Sequence, residues 1–547
     1  MRRAAQFLFI AVFLLFLSGC GSQSPVTTTP PTNPTPADVP VSLTVTDTPP
    51  QGVTVLFFQL NLTGATLTSS TGGSVSLYPG LLQQNAYPAI PVNVTQLQTD
   101  SAFLASANVP AGTYTGLSLT FSSNSQLTIY NGSGAPIGGC ANNTVCQLTP
   151  SPSGLNPTFN TAPFPITLAA NSPLAFMLDI HLNTVIQPDL SVNLGATNGV
   201  TVSQLPTPPS GAPISALGNL TGTIQSVNGM ECESTTCASS DSLTLQTGDG
   251  RTFNINVDSN TTYNYPSSVC SADNFSCLAA QQIVNVALSL QTNGNLLASK
   301  VTYVQPPGQM VVEGNIIQVS TSGGNTIIDM ISQQGPPPPP TASALPPFGQ
   351  RVTVTVPPTG VTYFIDSGTF TLPNGLSFTG AADLSVGEEV SVVVAPGSVT
   401  TASGPNIPSP SPLPITSPAP TTFTANSITL EPGQITGSVS GWAPISASAL
   451  TFTLSTYPNY FVPPSATAGV APIPMPVNIT VQATSATTFT NPDSISGLAV
   501  GDVVSVKGWF FPYHVIPQIC KADVGCAPIG EIAAEAVVGR PGPTPLF

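Results

Sequence analysis

The chain has 547 residues with 23 Asp and Glu against 8 Lys and Arg, a formal charge of −15, and only 6% of it is charged, where an ordinary soluble domain has about 25%. No Lys or Arg occurs between residues 4 and 250, which argues against nucleic acid as a partner, because neutralising phosphates needs basic side chains. It argues equally against a polybasic attachment to anionic lipid, and leaves hydroxyls, amides and 60 prolines to supply the polarity.

Met1, Arg2 and Arg3 precede an apolar run from Phe7 to Leu17 and then small residues, the layout of a secretory signal peptide at residues 1–19. The run is too short to span a bilayer as a helix. Its end, Leu17-Ser18-Gly19-Cys20, resembles the lipobox of bacterial lipoproteins. That resemblance implies cleavage behind Gly19, acylation of Cys20 and attachment to the membrane through the lipid. Gly21, standing where inner-membrane retention favours Asp, implies the outer membrane, with the chain periplasmic or surface-exposed. Residues 20–40 open with Cys20 and are mostly Ser, Thr, Pro and Asn without an apolar period, an extended tether that reaches about 60 Å when fully stretched.

The remaining eight cysteines fall into close pairs: Cys140 with Cys146, Cys232 with Cys237, Cys270 with Cys277, and Cys520 with Cys526. Of the 105 connectivities open to eight cysteines, four local bridges are the economical reading in an oxidising compartment. Each would close a short loop and contribute about 2 kcal/mol, clipping loop tips more than supporting the fold. With two histidines in the chain, His181 and His514, and no C-x-x-C spacing, neither a metal site nor a cofactor is expected.

From Val41 the pattern changes to short alternating runs such as "VSLTVTD", "VTVLFFQLNL", "GLSLTF" and "PLAFMLDIHL". Period-two alternation, β-branched residues and turn residues between runs predict antiparallel strands, and residues 41–205 read as a β-sandwich. "TDTP" at Thr46 and "VPAGTYTGLSLTF" at Val109 resemble a bacterial lipoprotein domain of unknown function with T-D-A-P and P-A-G-x-Y-T signatures. Neither segment is a chemical motif.

Beyond a linker near residues 206–215 an internal repeat begins. Its opening strand reads "LTGTI" at Leu220, "VEGNI" at Val312 and "ITGSV" at Ile435, with Gly222, Gly314 and Gly437 in register. A later signature reads "LSVGEEVSVVV" at Leu384 and "LAVGDVVSVKG" at Leu498; the first copy has "AAQQIVNVALSL" and lacks the glycine. Five strands per copy, with glycine where a strand must bend strongly, suit small OB-like β-barrels. The expected barrels span 216–308, 309–432 and 433–541, giving an all-β chain in which an N-terminal antiparallel β-sandwich precedes three small OB-like barrels. The copies resemble a second bacterial family of unknown function, found in tandem on secreted and lipidated proteins. Two Pro-rich insertions, near 333–350 and 396–422, are expected to be exposed loops of the second barrel.

No nucleophile elbow, zincin, Walker or dinucleotide motif is present. Asp179 and His181, two apart in a predicted strand, share one face and could form an acid/base or metal pair, although a solvent-facing structural role is the simpler reading. Asp258, Asp502 and Glu388-Glu389 fall in or beside turns, where capping is favoured over calcium binding. The strongest candidate for ligand contact is "GWFFPYH", with Trp509, Phe510, Phe511 and Tyr513, together with Tyr457 and Tyr460 of "TYPNYFVPP". Such crowding makes a stacking platform for sugar or peptide, a protein contact, or simply barrel core. The expected function is a non-catalytic binding, adhesion or scaffold role in the cell envelope, with carbohydrate or another envelope protein as partner. The alternatives are an envelope glycan-processing enzyme and a passive structural stalk.

Overall fold

A computed structural model describes residues 38–48, 53–78, 89–97, 102–131, 135–142, 144–170, 174–205, 213–228, 241–248, 250–266, 269–305, 309–333, 348–367, 370–401, 415–416, 421–456, 477–513, 520–521 and 525–539. Strand accounts for 58% of the described residues and helix for 4%, as alternating Val-, Thr- and Ile-rich runs separated by Gly, Pro and Asn dictate. Cys20 and the tether up to residue 37 lie outside the described residues, as do Cys232, Cys237, Tyr457, Tyr460 and His514; residues 38–40, expected in the tether, instead open the first strand, Asp38–Thr48.

The N-terminal sandwich packs two sheets. One has the strand order Val200–Gln204, Leu174–His181, Asp38–Thr48, Ala102–Pro110; the other is built around the long strand Val53–Ser69, flanked by Gly112–Phe121 and Gln126–Asn131. Alternation along Leu174–His181 turns Leu174, Phe176, Leu178 and Ile180 inward against Phe58, Leu60 and Leu62 of the opposite sheet. The sheet departs from purely antiparallel order at one place. Asp38–Thr48 runs parallel to Leu174–His181, with Val41 opposite Leu174. Parallel neighbours need a long crossover, and here the intervening chain supplies it by building the second sheet.

Each repeat closes into a five-stranded barrel. In the first, Ser215–Asn228 pairs with Ser242–Thr247 and Ile283–Leu290, and Thr252–Asn256 closes the ring by lying parallel to Leu296–Gln305. The second barrel (Met310–Ser322, Asn325–Ser332, Arg351–Val356, Glu389–Val394, Thr421–Glu431) and the third (Gly433–Ser440, Thr451–Thr456, Val477–Gln482, Val503–Pro512, Gly530–Gly539) repeat the same ladder with the same parallel closure. Strand one beside strands two and four, with three parallel to five, is the OB arrangement. Gly222, Gly314 and Gly437 explain the repeat's opening signature. A Cβ at any of them would collide with the carbonyl oxygen of Gln246, Ile331 or Ser455 on strand two, so only glycine lets strand one bend this tightly.

Cys140–Cys146 and Cys270–Cys277 are disulfide-bonded. Cys520 stands opposite Cys526 in a two-residue ladder.

The insertions of the second barrel do not behave as free loops where they are described. Gln333, at the end of one strand, donates from Nε2 to Leu56 O (2.9 Å) and Asn315 Oδ1 (2.9 Å), and accepts from Asn93 Nδ2 (2.7 Å). Across the same insertion, Gly349 O accepts from Thr128 Oγ1 (2.6 Å) and Gln147 Nε2 (3.0 Å). Phe57, Leu56, Tyr130 and Val145 of the sandwich form one apolar cluster with Ile317 and Ile331 of the barrel. From the second insertion, Ile415–Thr416 adds parallel to the sandwich strand Thr144–Leu148. The expectation of exposed loops falls mostly on residues 334–347 and 402–414, which lie outside the described residues. The described ends of the insertions, Gln333, Gly349 and Ile415–Thr416, meet the sandwich, because each supplies donors or acceptors that a sheet edge and its polar side chains can satisfy.

Candidate functional site

The strand Leu174–His181 turns Asp179 and His181 away from the sandwich core, and pairing with Val200–Gln204 sets Thr201 opposite Asp179. His181 Nε2 lies 3.3 Å from Thr201 Oγ1 and 3.6 Å from Asp179 Oδ2. A hydroxyl–imidazole–carboxylate relay divides its partners between the two ring nitrogens. Here both partners meet the same nitrogen, so the three groups form a polar surface contact with no path for passing a proton from hydroxyl to carboxylate. Among the described residues, no group of three or more His, Cys, Asp or Glu side chains is arranged to hold a metal ion.

The aromatic segment lies on the third-barrel strand Val503–Pro512, and alternation sends its rings to two sides. Phe510 points into the third barrel with Val506, Ile532 and Val537. Trp509 and Phe511 point out of that barrel and join the apolar cluster of the second, where the indole packs 5.2 Å from the ring of Phe370. Trp509 is 1% exposed, Phe510 6% and Phe511 7%, so these three cannot serve as an open stacking platform; burying each releases too much apolar surface from water. Tyr513, 36% exposed, remains at the surface. Its backbone N–H donates to Ile529 O (2.9 Å), and Thr480 and Glu531, opposite each other in the parallel closure of the barrel, flank it. Burial pushes the phenol up from its ordinary value, Thr480 opposes this by a hydrogen bond, and the Glu531 carboxylate adds to it.

The acidic residue of the repeat signature caps a turn. Ser385 N–H donates to Glu388 Oε2 (3.0 Å) and Ala499 N–H to Asp502 Oδ2 (2.7 Å). In the first repeat the same position is Gln282, whose Oε1 accepts from Ala279 N–H (2.8 Å) while its Nε2 donates to Cys277 O (3.1 Å). Asp258 accepts from Asn260 N–H (2.9 Å) in the same way. Glu388 is 1% exposed, and burial pushes its carboxyl well above the usual carboxylate range.

A second set of carboxylates gathers around Glu389, the one member that the sequence singles out. Asn315 stands opposite Glu389 and Glu389 opposite Glu431 across three adjacent strands of the second barrel, with Glu313 one outward position along from Asn315. Asp366 joins them through its N–H bond to Leu430 O (3.0 Å). Burial pushes the Glu313 carboxyl up to about 8, and the neighbouring Glu389 and Asp366 reinforce the shift. Glu431 is raised well above the carboxylate range by burial and by Asp366, Glu313 and Glu389. The available signal was a Glu at an outward position in each of three strands, which only the barrel register brings together.

Three of the cations lie against neighbouring side chains. The Arg251 guanidinium lies 5.0 Å over the Phe253 ring, Arg351 Nη2 is 2.5 Å from Asp329 Oδ2, and Lys507 Nζ is 3.8 Å from Glu535 Oε2.

Comparison with known proteins agrees with this division into a sandwich and repeated barrels. No curated protein matches the chain. Residues 39–197, the sandwich, match the model of a domain of unknown function, DUF4382. Residues 221–302 and 477–510, in the first and third barrels, match a second domain of unknown function, DUF5666.

Proposed function

We propose that this chain is a lipid-anchored protein of the cell envelope, held at the outer membrane through Cys20, with a non-catalytic scaffold or binding role. The observation that carries the reading is how the chain spends its recognisable chemistry. Trp509 and Phe511 of the third barrel are consumed in packing against the second and Phe510 in the third barrel's own core, the repeat acids cap turns, and the His181 contact has no relay geometry. This use of side chains favours the scaffold end of the range over recognition of carbohydrate by stacked rings. A partner contact of modest size centres instead on Tyr513, Thr480 and Glu531, where a phenol, a hydroxyl and a carboxylate stand together at a barrel edge, a combination suited to a sugar or to the polar rim of an envelope protein.

The test uses the full chain expressed with its signal. Wild type is expected in the membrane fraction and labelled by a fatty-acid precursor, and Cys20→Ser is expected in the soluble fraction without label. Membrane retention of the Cys20→Ser chain would remove the anchor from the proposal. In a pull-down from envelope fractions, Tyr513→Ala is expected to lose partners that wild type retains; identical recovery by the two would remove the Tyr513 contact.

A further inference from the structure

Each barrel carries a short extra strand joined in parallel to its last one: Thr262–Asn264 to Leu296–Gln305, Thr362–Ile365 to Thr421–Glu431, and Thr488–Thr490 to Gly530–Gly539. Each lies at the end of its sheet. Register makes the three comparable residue by residue. Tyr263, Tyr363 and Phe489 stand opposite Val301, Ile428 and Val537, which belong to the three barrel cores. The next residue faces outward and is exposed in every copy. It is Asn264 in the first barrel, Thr490 in the third and, in the second, Phe364, 55% exposed. Water suits an amide or a hydroxyl at this place, whereas a phenyl ring there exposes apolar surface that gains from being covered.

The backbone of this strand is open as well. Parallel pairing turns the N–H and C=O of alternate residues towards the neighbour. Asp366 N–H continues that ladder to Leu430 O (3.0 Å), so Phe364 bonds on the same side, and Tyr363 and Ile365 aim their N–H and C=O groups away from the barrel. Among the described residues nothing bonds to them there. In the first barrel the residue in the place of Ile365 is Tyr265, whose N–H donates to Asp273 Oδ1 (3.1 Å) of its own loop. The second barrel leaves the corresponding donor free, and an unpaired edge is a template for a further strand. The face beside Phe364 is acidic. Asp366 lies two residues on, Glu431 lies two residues beyond Thr429, which stands opposite Phe364, and Glu389 stands opposite Glu431. All three are half-buried, part of each remaining open to solvent. The other barrels have Pro266 and Pro492 in the place of Asp366, and Ile283 and Val503 in the place of Glu389. Arg351 and Lys507 are held by Asp329 and Glu535, and Arg251 lies over Phe253. A second copy of a chain with 8 Lys and Arg in 547 residues has little basic charge to offer, so complementarity calls for a different protein.

We propose that Thr362–Ile365 of the second barrel is a docking edge for an extended, basic segment of a partner protein. The segment adds as one more strand, exchanging backbone hydrogen bonds with Tyr363 and Ile365. A Lys or Arg on its outer face lays its aliphatic stem on the Phe364 ring and brings its charge to Asp366, Glu431 and Glu389. The inference deepens the binding reading above and rests on it, naming the chemistry of a partner at a site that uses neither Cys20 nor Tyr513.

The probe is a fluorescein-labelled synthetic peptide of alternating Lys and Val, titrated with the full chain and read by anisotropy. Saturable binding is expected, weakening as salt rises, and a peptide of alternating Glu and Val should not bind. Phe364→Thr, which installs the residue that the third barrel has in this place, should keep the wild-type unfolding midpoint and lower the affinity by about tenfold or more. Asp366→Asn combined with Glu431→Gln should lower it similarly and flatten the salt dependence. Hydrogen exchange locates the contact: with saturating Lys peptide the Tyr363 and Ile365 amides should slow by about tenfold or more, while the Phe364 amide, already bonded within the barrel, keeps its rate. Absence of saturable binding, equal affinity of wild type and Phe364→Thr, equal binding of the two peptides, or protection that falls elsewhere would each overturn the proposal. Dimerisation of wild type that Phe364→Thr abolishes would overturn it too, by giving the edge to a second copy. None of these results bears on the fractionation of Cys20→Ser or on recovery with Tyr513→Ala, so the two readings fail separately.

Discussion

Gln281 holds a backbone conformation that its side chain disfavours. Its φ of 70° matches 94° at Gly387 and 97° at Gly501, so the first repeat keeps the left-handed turn after losing the glycine that made the motif legible elsewhere. A left-handed residue with a Cβ costs about 1–2 kcal/mol, and glycine gives back about half of that through its freer unfolded chain. Gln281→Gly is therefore expected to stabilise the protein by about 0.5–1 kcal/mol, read as a raised denaturant midpoint; an unchanged or lowered midpoint would mean the turn is held by something other than its backbone. One position further on, Glu388 fills the place of Gln282, and its raised carboxyl shows the cost of an acid where the first repeat has an amide. Because the folded form holds its proton more tightly than the unfolded one, the stability this group contributes is complete below the ordinary carboxylate range. It declines as the pH rises from there towards the raised value. Glu388→Gln should match wild type near pH 4 and exceed it in stability at pH 8, measured by denaturation at both; a variant less stable than wild type at pH 8 would sink this reading. Turn capping by these acids could be read from their place beside glycine. Their burial could not, because it depends on what the barrel closes over.

Strands are the scale at which sequence and structure agree most closely. The repeated x-Gly-x signature marked strand one of each barrel, and the reason lies in the carbonyl of strand two standing where a Cβ would go. Gly437→Ala is expected to cost about 1–3 kcal/mol and to loosen the third barrel, seen as faster amide exchange along Gly433–Ser440 and Thr451–Thr456; exchange at wild-type rates would show that the bend can be relaxed cheaply. What strand patterns could not reveal is partnership across long separations. The alternation in Asp38–Thr48 is the same whether its neighbour runs parallel or antiparallel, and the parallel pairing with Leu174–His181 is decided by the crossover that builds the second sheet. The Pro-rich insertions illustrate the same limit. Their composition reads as loop, yet Gly349 and Ile415–Thr416 find hydrogen-bond partners on the sandwich that no local pattern announces.

Across the whole of the described chain, which lies within one compact unit starting at Asp38, the second barrel touches every other domain. It meets the sandwich through Gln333 and Ile317, the first barrel through Val311 and Glu313, and the third through Phe370. Period-two alternation marks which residues of a strand share a face but not whether the outer face meets water or another domain. That is why Trp509 and Phe511 read equally well as a binding platform and as core. The structure separates the two sides of this strand, and so does an experiment. Trp509→Ala removes an indole that serves only the contact with the second barrel, and should cost about 3–5 kcal/mol of that contact while leaving the ring of Phe510 and its neighbours in place. Calorimetry is then expected to show the third barrel melting separately and earlier than the second, with amide protection inside the third barrel kept below that transition. Phe510→Ala, by contrast, hollows the barrel itself, and protection along Val503–Pro512 and Gly530–Gly539 should fall at all temperatures. If the two substitutions gave the same loss of protection, the third barrel would have no core separable from its docking surface, and the domains would be one folding unit from the sandwich onward.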